Sequence, residues 1–401
     1  MHRSPGWSIA LLTSLALGCA DSAPPPGAEQ GLPDYDPAAC ADPATLRIRV
    51  EPELFITGPT NNAIVIDGDD AFVVHSQDNT VGRYGLRTGR WEPAFVDVGN
   101  ERNPWDVAVT ADRLYVSNFA EPVVTVADRA TGARLGELAV ETVAAGGIAA
   151  VHDLVLIASS GFIGPDYGPA ALVVLRRLEA APWLEALGAL PTSADNASDV
   201  VVDPARGRVY VVSAGARGFD LATGDSVVMS DGAVDVFDLD ALRAGELDRA
   251  TVTSVALQRD PANPFAGAPR TLVIAPGGDV AYLPSASSSH LYKLDLDRLT
   301  WLHDTTSPII PYLGTGNQLT AIAMRPDGLA YVTAFNQDRV VLFDTACDAS
   351  IAGPWDVGNS SLLEGPLEVA YDPVARQALV ILSVSSAVSR VVGPAAAAGG
   401  P

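Results

Sequence analysis

One short unit recurs along this chain: an apolar strand, a turn built on Asp, Pro or Gly, and a second apolar strand. Copies stand at 63–74 (AIVIDGDDAFVV), 106–116 (DVAVTADRLYV), 147–157 (GIAAVHDLVLI) and 199–212 (DVVVDPARGRVYVV). Three more stand at 271–283 (TLVIAPGGDVAYL), 320–332 (TAIAMRPDGLAYV) and 368–382 (EVAYDPVARQALVIL). Most lead into a third strand, such as VVTVAD, ALVVLRR, AVDVFDLD, LYKLDLD or RVVLFDT, and then a turn and a weaker fourth. Short β-rich runs separated by turn residues are hairpin signals. A single sheet of this kind cannot bury both faces, so it needs neighbours like itself. Seven copies over roughly 350 residues give about 50 each, near the propeller-blade period. The reading is an all-β, seven-bladed β-propeller of four-stranded antiparallel blades, with six blades and a cap as the alternative. The last copy shows three strands (367–371, 378–383, 387–392) before GPAAAAGGP. Leu46–Val50, in the alternating run TLRIRV, is therefore expected to supply its fourth strand and close the ring.

Ahead of the repeat, residues 1–18 carry His2 and Arg3 and then an apolar run, Trp7 to Leu17. The run is too short to span a bilayer and has signal-peptide form. It ends in LALGC. This resembles the bacterial lipoprotein lipobox, which implies lipidation of Cys19 as the new N-terminus; Ala16 stands where that family prefers Leu. An ordinary signal peptide cut nearby is the alternative. Ala20 after the cysteine points to the outer rather than the inner membrane. Residues 19–44 read as a Pro/Ala-rich tether, 45–392 as the propeller and 393–401 as a tail.

The best copy, Asn103–Leu138, reads NPWDVAVTADRLYVSNFAEPVVTVADRATGARLGEL, with strands at Val107–Val109, Leu114–Ser117, Val123–Ala127 and Leu135–Ala139. Its form, P-x-x-V-A-V-x-x-D-x-x-L-Y-V-S-N followed by V-x-V-x-D-x-x-T-G, resembles the YVTN family of β-propeller repeats. The copies at 199–240 and 320–345 match clearly and the one at 147–178 poorly. The resemblance implies a propeller of the bacterial surface or periplasm. It says little about activity, because propellers host many.

The formal net charge is −23. Repulsion therefore opposes nucleic acid and anionic membrane surfaces as partners. Contact with the membrane is expected through the Cys19 lipid only, and a monomer is expected because a closed ring needs no partner to bury its edges. Cys40 and Cys347 remain, an even pair in a chain read as exported. A disulfide clamping the ring closure is the expectation; two free thiols are the alternative.

In a propeller the innermost strands line a central channel. Aligning the copies puts Ala63, Asp106, Gly147, Asp199, Thr271, Thr320 and Glu368 at its mouth, with Asn103, Asn196 and Asn317 three residues earlier. Converging oxygen ligands suit a hard cation such as Ca²⁺, held by Asp106, Asp199 and Glu368. A small polar ligand or a partner at the same place is a second reading, and plain turn chemistry a third. Insertions at 161–169 and 214–233 fall on that face, where long loops on a rigid frame carry binding residues. Phe162, Tyr167 and Phe219, with Trp105 and Phe119, form a candidate aromatic recess.

No GxSxG, P-loop, GxGxxG or HExxH is present. His75, His152, His290 and His303 read as solvent-facing or turn residues, and the DLD runs Asp238–Asp240 and Asp295–Asp297 as turn chemistry. The expected function is a lipid-anchored envelope module that binds an envelope protein or small polar ligand through the channel mouth, without catalysis. The alternative is a divalent-metal-dependent lactonase or related hydrolase.

Overall fold

The computed structural model describes residues 40–42, 46–142, 144–164, 166–219, 226–311, 318–359 and 362–393, with the backbone alone of Asp166, Phe219 and Ser226. Cys19, Asn317, residues 1–18, most of the 19–44 tether and nearly all of the 393–401 tail lie outside the described residues.

Seven four-stranded antiparallel sheets follow one another in the ring of a β-propeller. Blade 2 is representative: Pro104–Val109 is innermost, followed outward by Arg113–Asn118, Val123–Asp128 and Arg134–Ala139. The other innermost strands are Asn61–Asp67, Ala145–Val151, Ala197–Asp203, Val273–Ile274, Leu319–Met324 and Pro366–Asp372. In blade 7 the outermost strand is N-terminal: Arg49–Ile56 pairs antiparallel with Ala387–Val392 and closes the ring.

That closing strand lies later than the expected Leu46–Val50, sharing only Arg49 and Val50 with it. Its register breaks between Glu51 and Phe55, around Pro52. A proline cannot donate to the ladder and is found at edges and bulges. Here it interrupts the alternation and hides the strand's second half. Leu46 and Ile48 still pack against the core between blades 6 and 7.

The strand period of two explains how the ring holds together. In blade 4, Val209 and Val211 pack toward blade 3, while Tyr210 and Val212 pack toward blade 5. Seven principal clusters of buried apolar residues result, one at each blade–blade interface. The tyrosine of the repeat belongs to them: Tyr115, Tyr210, Tyr282 and Tyr331 are fully buried.

The D-x-x-T-G turn is equally local. The Asp128 carboxylate accepts the backbone N–H groups of Ala130 and Thr131 at 3.1 and 2.8 Å. Gly132 follows at φ +72°, and a Cβ there would meet the Phe95 carbonyl oxygen at 1.9 Å. Asp238 departs from a plain turn: it caps a short helix, Leu239–Ala244, by accepting the Ala241 N–H at 2.8 Å.

Cys40 and Cys347 are disulfide-bonded with a Cα–Cα distance of 5.3 Å. Beside them the Ala41 N–H donates to Asp344 Oδ2 at 2.7 Å. Cys347 lies in the turn between Arg339–Asp344 and Ala349–Asp356, on the face opposite the starts of the innermost strands. The segment before the closing strand is thus pinned to the far side of the ring from the channel mouth.

Candidate functional site

Six of the seven innermost strands begin with the same irregularity. Register slips between Asn61 and Ala63, Pro104 and Asp106, Ala145 and Ile148, Ala197 and Asp199, Leu319 and Ile322, and Pro366 and Glu368. A bulge of this kind leaves a residue unpaired and re-aims its neighbours' side chains. Repeated around the ring, it turns the residues at the strand starts toward the axis. Asp106, Asp199 and Glu368 come close enough to feel one another's charge, and all three feel Arg270. Arg270 was not among the expected residues. It immediately precedes Thr271, and arginine recurs at this position in no other copy.

The carboxylates have structural work. Asp106 Oδ1 accepts the N–H of Val107 at 2.7 Å, and Oδ2 accepts that of Ile148, in blade 3, at 3.1 Å. Asp199 repeats this with Val200 at 2.8 Å and with Leu272, in blade 5, at 3.2 Å. It also accepts from the Thr271 hydroxyl. Glu368 accepts the Val369 N–H at 3.3 Å. Gly147 is required by this crossing: a Cβ there would lie 2.8 Å from Asp199 Cα and 2.9 Å from its Oδ1.

Crowding three acids into a narrow channel makes ionisation unfavourable. Burial pushes Asp106 up to about 7, against the pull of its backbone N–H partners. Burial pushes Glu368 up to about 8, offset by Arg270 and reinforced by Asp199. Asp199 is raised for the same reason. Water still reaches these groups: the Arg270 and Glu368 side chains are 19% and 24% exposed and stand 3.9 Å apart.

The other expected residues divide into two sets. Asn103 and Asn196 occupy left-handed turn positions at φ +50° and +61°; the Asn196 side-chain amide donates to the Gly215 carbonyl at 3.3 Å, and Asn103 Oδ1 is buried with no hydrogen-bond partner among the described residues. Thr320 is buried and donates to the Pro366 carbonyl of the next blade at 2.7 Å. Ser76 to Pro104, Ser117 to Gly146 and Ser198 to Arg270 make equivalent bonds at 2.7, 2.7 and 2.6 Å. A hydroxyl near the bulge thus staples one blade to the next. Thr320 faces this staple and not a ligand.

The aromatic residues assemble. Trp105 stacks on Phe119 at 5.0 Å, Phe119 meets Phe162 at 6.0 Å, and Phe162 meets Tyr167 edge-on at 5.4 Å. All four are half-buried, so the rings form a wall that solvent reaches. Phe162 and Tyr167 face each other across a two-stranded hairpin within the blade 3 insertion. The blade 4 insertion forms a second hairpin, Arg217–Phe219 with Ser226–Val228. The Phe219 side chain lies outside the described residues. Arg217 on that hairpin interacts electrostatically with both Tyr167 and Arg270, which links the wall to the charged channel.

Among the described residues no three His, Cys, Asp or Glu side chains gather as a metal-sized group. Two of the four histidines depart from the expectation. His75 and His290 are buried, and burial lowers each to about 4, leaving neutral rings. Two shallow hollows lie elsewhere, one between the far-face turns of blades 5 and 6 and one along the outer edge of blades 1 and 2. Neither brings together the residues that converge at the mouth.

No protein family matches this chain, and no curated protein matches it. Solved structures do. Streptogramin B lyase superposes with a TM-score of 0.61 at 8% identity, covering 87% of this chain and 98% of that one. The β-propeller domain of Cps50 (Swd1) from Myceliophteria thermophila gives 0.58 at 11%, covering 86% and 99%. Hydrazine synthase from Kuenenia stuttgartiensis gives 0.57 at 16%, covering 86% and 96%. At such identities the likeness is one of fold. This chain is a seven-bladed β-propeller.

Proposed function

We propose that this propeller is a lipid-anchored module of the bacterial envelope, held at the outer membrane through Cys19, that binds a small ligand at the channel mouth. The observation that carries the binding role is the continuous wall of Trp105, Phe119, Phe162 and Tyr167 beside the charged ring of Asp106, Asp199, Arg270 and Glu368. Solvent-reachable rings beside convergent polar groups are the ordinary composition of a small-molecule site. The two hairpins that raise Tyr167 and Arg217 stand on this face. A binding role without catalysis uses every one of these groups.

The alternative, a divalent-metal-dependent hydrolase, draws on the same three carboxylates. Against it, the oxygens of Asp106 and Asp199 already accept two and three hydrogen bonds.

The test is a thermal-shift screen of the full protein against aromatic acids, aromatic amines, sugars and short peptides, repeated on Trp105→Ala/Phe162→Ala. A compound bound only by the folded state raises the midpoint. The reading predicts compounds that stabilise the wild type and lose their effect in the variant. Compounds that act equally on both, or none that act at all, would overturn it.

A further inference from the structure

The chemistry of the mouth narrows the ligand class, and this step rests on the reading of the mouth as a ligand site. Arg270 is the informative residue. A guanidinium offers five N–H donors in a rigid fork. Among the described residues the Arg270 side chain has one ion pair, with Glu368 at 3.9 Å, which is beyond hydrogen-bond length. Its donors are therefore unspent, in a channel that solvent reaches. Placing a guanidinium among protein atoms is costly unless an anion meets it.

The surrounding groups show which anion fits. Asp106, Asp199 and Glu368 point their oxygens at backbone N–H groups of Val107, Ile148, Val200, Leu272 and Val369. Burial pushes Asp106 up to about 7 and Glu368 up to about 8, so near neutral pH these two only partly offset the Arg270 guanidinium that stands 3.9 Å from Glu368. One guanidinium with unspent donors suits one negative charge. A dianion would be repelled by whatever charge the three acids keep. The fork geometry of arginine matches a planar carboxylate. Tyr167, which interacts with Arg217, begins the run of four rings leading away from the charged channel.

We propose that the mouth binds a planar, ring-bearing carboxylic acid, with its carboxylate on Arg270, Arg217 close by, and its ring against Trp105, Phe119, Phe162 and Tyr167. Raising the pH charges Asp106 and Glu368 beside that carboxylate while the arginines keep their protons. Affinity therefore falls as pH rises through about 7 to about 8. Asp199, on the same axis, is also raised by burial.

The experiment is calorimetric titration of the full protein with 1-naphthoate, with 1-naphthylmethylammonium and neutral 1-naphthamide as counter-probes, at mildly acid and mildly alkaline pH. The expected result is saturable binding of 1-naphthoate only, weakened at alkaline pH. Arg270→Gln weakens it about tenfold or more, as the loss of one charge-assisted pair does. Arg270→Lys keeps the charge without the fork and weakens it less. Trp105→Ala weakens it and leaves the pH dependence in place. Three outcomes overturn the proposal: no binding of 1-naphthoate at millimolar concentration, binding unchanged in both arginine variants, or binding that strengthens with pH. If the ammonium or the amide binds instead and Trp105→Ala abolishes it, the mouth is a ligand site and only the carboxylate assignment fails.

Discussion

Glu368→Gln tests whether the channel mouth is as poorly solvated as its geometry implies. In the folded protein the Glu368 carboxyl is moved from an ordinary 4.5 to about 8, chiefly by burial. A carboxyl that holds its proton to higher pH when folded binds more protons than the unfolded chain does between those two values. Folding is therefore weakened as pH rises through that window, and nothing is lost below it. At about 1.4 kcal/mol for each pH unit of displacement, the ceiling is roughly 5 kcal/mol. The side chain is 24% exposed and shares its protons with Asp106 and Asp199, so about 2 kcal/mol is the working figure. Glutamine resembles the protonated acid in shape and cannot ionise. Urea unfolding followed by tryptophan fluorescence, for both proteins from mildly acid to alkaline pH, reads the difference. The variant should match the wild type to within about 0.5 kcal/mol near pH 5 and exceed it by about 2 kcal/mol above pH 8. A difference that stays constant with pH, or a wild type that gains on the variant as pH rises, would refute the argument that Glu368 is charged at a cost.

Three further outcomes follow from other parts of the molecule. The Cys40–Cys347 bond closes a loop of 307 residues, for which chain entropy gives between 5 and 6 kcal/mol and measured disulfides more commonly about 2–5 kcal/mol; Cys40→Ser and Cys347→Ser should each lower the unfolding midpoint as much as the double variant. A slower-running band after reduction on a denaturing gel checks the bond directly. Calcium should leave the thermal midpoint where a chelator leaves it, because Asp106 and Asp199 already spend their oxygens on hydrogen bonds; a calcium-dependent rise that Asp106→Ala removes would move the assignment to the metal-dependent alternative. Cys19→Ala should transfer the protein from the membrane pellet to the soluble fraction, and a variant that still sediments would count against the lipid anchor.

Much of the fold was legible because its determinants are local. The alternation in LYVSN, the DRATG turn and the spacing of the copies depend on residues within a few positions of one another. The hydrogen bonds of Asp128 and the positive φ of Gly132 are made inside a single turn. The closing strand was displaced where Pro52 breaks the alternation, since a bulge is a pairing event that depends on the partner strand. His75 looked like a turn residue because the burial of an isolated polar side chain depends on what the ring packs against it, here Trp91 at 5.6 Å.

By itself the sequence determined the number of blades, the face that carries the insertions and the aromatic residues that could meet there. Only the tertiary structure decided which side chains share the axis. Asp106 and Glu368 are brought together by ring closure, and the bulges at the starts of their strands and that of Asp199 set the aim of the side chains. Asp106 and Asp199 turn inward while also stapling neighbouring blades, and Thr320 is spent on a staple alone. Arg270 entered the site unannounced, because no repeat position marks it and its place depends on carboxylates contributed by three other blades. Backbone propensity is read over a few residues, whereas a charge constellation on a ring axis is a sum over the whole chain.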